Sequence, residues 1–81
     1  MGLIDDFEDI SIVEAGTLHE KLANLPAEII VKAWIGTSPS NAEYLAATFT
    51  SIDFPKERAA IGPIRIEEVE AAQQEVVKAL N

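Results

Sequence analysis

Cysteine is absent from this chain, which excludes a disulfide framework, a thiolate zinc site and a cysteine nucleophile together. Histidine occurs once, at His19, and one histidine without partners makes neither a catalytic triad nor a zinc site. It lies one residue after Leu18 and three before Leu22, the position of a packing or solvent-edge residue beside an apolar stripe. The four glycines, Gly2, Gly16, Gly36 and Gly62, are too far apart to form a phosphate-binding loop. No stretch approaches the roughly 20 apolar residues that a membrane span needs. The first ten residues carry Asp5, Asp6, Glu8 and Asp9 and no base, the reverse of a signal peptide. Bases are scarce throughout: 6 against 14 acids, for a net charge of −8. A phosphate backbone or an anionic membrane would be repelled, so neither nucleic acid nor a membrane surface is an expected partner. The charge either keeps a small protein in solution or marks an acidic surface that docks on a basic partner.

Catalytic chemistry is correspondingly thin, and the expectation is a non-enzymatic protein with no cofactor and no metal. Asp5, Asp6, Glu8 and Asp9 lack the spaced loop and the glycine of a calcium site and read as a solvated acidic run. Ser38 and Ser40 stand in turn contexts where helix capping is their natural use. An acyl carrier protein would need an Asp-Ser-Leu attachment site, and the nearest triplet, Gly16-Thr17-Leu18, would not serve.

What the chain does have is helical spacing punctuated by proline and glycine. With 81 residues it is one domain, and 48% of it is apolar, enough for a modest core. Leu3 to Ile10 predicts a turn or two of helix, acidic and weakly apolar. Leu18, Leu22 and Leu25 predict a second helix, and Thr17 with Glu20 fits a capping box that would start it. Pro26 suits the first position of a third helix with Ile29, Ile30, Ala33 and Trp34 facing the core, stopped at Gly36. Ser38 and Pro39 would open a fourth, reaching about Thr50, with Tyr44, Leu45, Thr48 and Phe49 inward. Asp53 and Pro55 would open a short fifth, in which Ala59, Ala60 and Ile61 could pack closely.

The last segment carries the strongest pattern. Ile66, Val69, Ala72, Val76, Val77 and Leu80 recur at three- and four-residue steps. Glu67, Glu68 and Glu70 crowd the first turn and Lys78 the last, as the helix dipole favours. Ile64-Arg65-Ile66 could be locally extended, but no segment alternates long enough for a sheet. The fold class expected is all-α, a compact bundle of about five to six short helices or an armadillo-like stack of helix pairs.

The stretch from Gly62-Pro63-Ile64-Arg65-Ile66 through Glu68-Val69-Glu70 to Ala72-Gln73-Gln74-Glu75-Val76-Val77 resembles a known pattern. It is similar to the Gly-Pro-Val-Arg-Leu, Asp-Val-Glu, Ala-Gln-Gln-x-Ile-Val sequence of the C-terminal domain of the flagellar motor switch protein FliG. Phe7-Glu8-Asp9-Ile10 resembles the Phe-Glu-Asp-Ile that opens that domain, and Ala33-Trp34-Ile35-Gly36 stands where the family has Ala-Leu-Lys-Gly. Packing accounts for Gly62, Pro63, Ile64 and Ile66, which would anchor the start of the last helix to the core. It does not account for Gln73-Gln74.

The resemblance implies an armadillo-like helical domain over residues 1–81, cytoplasmic or peripheral at the flagellar basal body. It implies contact with the stator protein MotA or with switch proteins such as FliM or FliG itself. The residues it points to are Lys56, Glu57, Arg58 and Arg65, a mixed-charge surface around Gly62. Arg65 has a simpler alternative, a salt bridge to Glu67 or Glu68. Where the family keeps a lysine this chain has Ile35, and its stretch between Gly36 and Gly62 is shorter. Those departures leave open a second expectation: a divergent structural or adaptor domain without a motor role.

Overall fold

Three- and four-residue apolar spacing becomes helix along the whole chain. The computed structural model describes residues 3–81: one 3-10 helix and then five α-helices, with no strand among the described residues. The all-α expectation is met.

The 3-10 helix, Phe7–Ile12, starts at Asp6, whose carboxylate accepts from the Glu8 N–H at 3.2 Å. Its acidic residues face water while Ile4, Phe7, Ile10 and Val13 are buried. The segment therefore contributes far more core than its composition suggests.

Helix α1, Ala15–Leu22, buries Leu18 and Leu22. It begins at Glu14, and Leu18 closes its first turn on the Glu14 carbonyl at 2.8 Å. The capping box expected at Thr17 is not formed, because Thr17 already lies inside the helix. A capping residue must be extended to aim its oxygen at the N–H groups ahead of it.

Helix α2, Ala27–Ile35, follows Pro26, which stands at the cap in an extended conformation, one position earlier than expected. Ile30, Val31 and Ala33 are buried, and Ile29, Trp34 and Ile35 are packed against the core at its margin. A helix apolar around most of its circumference has neighbours on several sides. Here α2 packs most extensively against the last α-helix, and also against the third and fourth.

Helix α3, Pro39–Thr48, has Ser38 at its cap without a side-chain bond, Pro39 first, and Asn41 and Leu45 buried. Tyr44 and Thr48 are half-buried and satisfied: the Tyr44 hydroxyl donates to the Val13 carbonyl, and the Thr48 hydroxyl to the Tyr44 carbonyl at 2.7 Å. Helix α4, Phe54–Ile61, is capped by Asp53, whose carboxylate accepts from the Lys56 N–H at 3.2 Å. Phe54 is buried, but Ala59 and Ala60, expected to pack closely, are exposed. No element crosses that side of α4, which rests mainly on α2.

Helix α5, Ile66–Leu80, buries Val69, Ala72, Val76, Val77 and Leu80. Ile66, expected as an anchor, is 64% exposed, and Ile64 is only half-buried. The 15 residues of α5 run about 22 Å and the nine of α2 about 13 Å, at roughly 1.5 Å per residue, so α5 outruns its main partner.

The two helices come close at Gly36. A Cβ there would sit 2.3 Å from Val69 Cγ1, so no larger residue fits unless the Val69 side chain or α5 itself shifts. Alongside, the Gln73 amide donates to the Ala33 carbonyl at 3.2 Å, satisfying an acceptor that the end of α2 leaves unpaired. Gln73 thus has the packing role that sequence alone did not provide. At the far end of α5, Asn81 Oδ1 accepts from the Ile4 N–H at 3.4 Å, bringing residues 4 and 81 together.

Candidate functional site

Lys56, Glu57 and Arg58 occupy consecutive positions on α4, and Arg65 caps α5 across the Gly62-Pro63 turn. All four are exposed. At about 100° per residue, Lys56 and Arg58 project to nearly opposite sides of α4 with Glu57 between them. The three therefore ring the helix instead of forming one face.

No ion pair joins these four residues to one another or to any other group among the described residues. The salt bridge available to Arg65 is not made. Its backbone N–H instead donates to the Glu68 carboxylate at 3.3 Å, half of a capping box. A guanidinium has no acceptor with which to supply the other half. Arg65 also sits at the positive end of the helix dipole, where Glu67 and Glu68 offset it.

Lys32 is the contrasting case. It pairs with Glu28 at 3.0 Å, one helical turn away. The hydrogen bond to that carboxylate raises its pKa above the usual lysine value, against a smaller opposing effect of lost hydration. Lys32 is committed to its own helix, whereas Lys56, Arg58 and Arg65 present their charges outward.

A polar cluster that the sequence did not signal ties the acidic N-terminal segment to α3. Asn41 Nδ2 donates both to the Glu8 carbonyl and to Glu8 Oε2, each at 2.9 Å, and the Thr37 hydroxyl donates to Glu8 Oε1 at 3.2 Å. Asn41 is the single buried polar residue among those described, and Glu8 is what makes its burial tolerable. Glu8 lies in the Phe7-Glu8-Asp9-Ile10 motif, so that motif has a structural use in this fold. An asparagine inside a helix was the only available hint, and its partner lies 33 residues away.

Two hollows mark the surface. One, of about 250 Å³, is lined by His19, Leu22, Leu25, Ile30, Phe49 and Ile52 among others. His19 stacks on Phe49 there, with ring centroids 5.3 Å apart and planes 20° from parallel, the packing role expected of it. The other, of about 350 Å³, lies along the end of α5 by Gln74, Glu75, Val77, Lys78 and Asn81. Ser51 also lines the first hollow, on the same side of the molecule as His19. Among the described residues no three histidine, cysteine or carboxylate side chains converge as a metal site would require. No helix among them is long and apolar enough to cross a membrane.

Comparison with protein-family models, with curated proteins and with solved structures finds no match for this chain. Function therefore has to be argued from the surface itself. A ring of exposed charges on a short helix can steer and orient a complementary protein, since such charges govern encounter rate and register more than raw affinity.

Proposed function

We propose that this chain is a non-catalytic protein-interaction domain that binds its partner through α4 and the start of α5. The observation that carries the reading is the state of the four charged residues, Lys56, Glu57, Arg58 and Arg65, all exposed and none ion-paired among the described residues. The resemblance of Gly62 to Val77 to the C-terminal domain of FliG supplies the partner class. It also supplies the armadillo-like arrangement and a site of action in the cytoplasm at the flagellar basal body. On that reading the partners are the stator protein MotA or the switch proteins FliM and FliG. Nucleic acid is disfavoured by the net charge of −8.

Titration of the purified domain with the cytoplasmic loop of MotA and with FliM, at low and physiological salt, tests this. The double variant Glu57→Lys, Arg65→Glu should weaken binding about tenfold or more, with a larger effect at low salt. Equal binding by both proteins removes α4 and Arg65 from the interface. No binding to either partner removes the motor assignment.

One observation favours a second reading, an adaptor or structural domain that kept the fold and lost the motor role. Ile35, where the FliG family keeps a lysine, is packed against the core, so a charge at that position has been replaced by apolar contact. Binding to a protein outside the flagellar motor, abolished by the same double variant, would fit this second reading.

A further inference from the structure

We propose that α4 is a hinged arm that undocks as a unit about Gly62 while the other helices stay folded, uncovering Trp34 and the adjoining face of α2. The inference rests on how α4 is held and not on any partner.

Six consecutive residues, Pro55 to Ala60, are exposed. At about 100° per residue they span about 500° around the helix, so every side of its middle is at least partly open to solvent. Only the ends are engaged: Phe54 is buried and Ile61 half-buried. A helix of eight residues has little stability of its own in water, so this one depends on those two ends and the Asp53 cap.

Both connections permit movement. Gly62 has φ 72° and ψ −153°, a conformation open essentially only to glycine, and a Cβ there would meet nothing within 4 Å. The space beside the Gly62 Cα is therefore open. Pro63 then prevents α4 and α5 from merging into one helix. On the other side Thr50 and Ser51 are exposed.

At the Asp53 end the latch is Phe54, a buried core residue with an aromatic partner. Phe54 lies against Trp34 with ring centroids 5.1 Å apart and planes 35° apart. Trp34 is fixed independently, its indole N–H donating to the Ala42 carbonyl at 3.1 Å. When Phe54 leaves, Trp34 stays held to α3, and α2 keeps its extensive packing on α5. Local opening of this kind draws on the weakly held end of a protein's stability range.

Amide hydrogen exchange on the full chain tests the arm directly. The reporters are the amides of Glu57, bonded to the Asp53 carbonyl at 2.9 Å, and Gly62, bonded to the Arg58 carbonyl at 3.1 Å. Their protection should be on the order of a hundredfold lower than that of Val76 and Val77 in α5, as sub-global opening requires. Phe54→Ala should lower it about tenfold further and leave α5 unchanged. Trp34, the sole tryptophan, should shift its emission to the red in that variant. Equal protection of α4 and α5 in the native protein overturns the proposal whether or not the variant folds. So does a Phe54→Ala variant in which both helices lose protection together.

Discussion

Helices α4 and α5 are neighbours in sequence, separated by one tight turn, and they are held in opposite ways. α5 buries five of its 15 residues along one continuous face, and it carries an acidic first turn and a basic last turn. α4 buries one of eight and rests mainly on α2. A long amphipathic helix is secured by many small contacts, each replaceable; a short one resting on a single aromatic can leave without disturbing the rest. Charge follows the same division. The ionic and polar groups near the bundle, Lys32, Glu8, Asn41 and Gln73, are engaged internally, while Lys56, Glu57 and Arg58 are left outward. The surface proposed for binding is thus the part of the molecule on which folding depends least.

Four substitutions test this contrast. Leu80→Ala on α5, where Leu80 is 1% exposed, should cost the whole bundle about 2–5 kcal/mol, read as a lower urea midpoint with unchanged slope. A cost no larger than that of an exposed site would dissolve the contrast. Gly36→Ala should cost about 1–3 kcal/mol, because its new Cβ meets Val69 Cγ1 across the α2–α5 seam. Adding Val69→Ala should recover part of that loss, a coupling that a double-mutant cycle measures. Arg58→Ala on α4 should fall within about 0.5 kcal/mol of the native protein by thermal melting. A larger loss would mean that α4 belongs to the cooperative core.

The sequence conveyed periodicity well and reach poorly. Val69, Ala72, Val76, Val77 and Leu80 were legible from their spacing, as were the breaks at Gly36 and Gly62 and the Asp53 cap. Ile66 shares that spacing but is exposed, because periodicity defines a face and not the length of the helix that covers it. Ala59 and Ala60 misled for a related reason: small residues permit close approach without requiring it. Thr17 and Glu20 had the spacing of a cap, but α1 starts earlier, at Glu14. Val31 and Phe54 are core residues that stripe-counting passed over: α2 has neighbours on several sides, and Phe54 packs as an isolated plug. The polar contacts of Asn41 and Gln73 span 33 and 40 residues, a separation that no local pattern encodes. For the candidate site the residue types were legible. Their encirclement of α4 was not, because it depends on which sides of that helix the bundle leaves bare.

The hydrogen bond between Ile4 and Asn81 has a consequence for genetic architecture. A domain whose two ends meet can be spliced into a surface loop of another protein while spreading that loop very little. For the same reason a brief peptide bridge could join residue 81 to residue 3, and the chain could be reopened at the exposed turn around Asn24 with the helical packing retained. With residues 4 and 81 side by side, the helical packing between them can hang from a host at a single point of attachment.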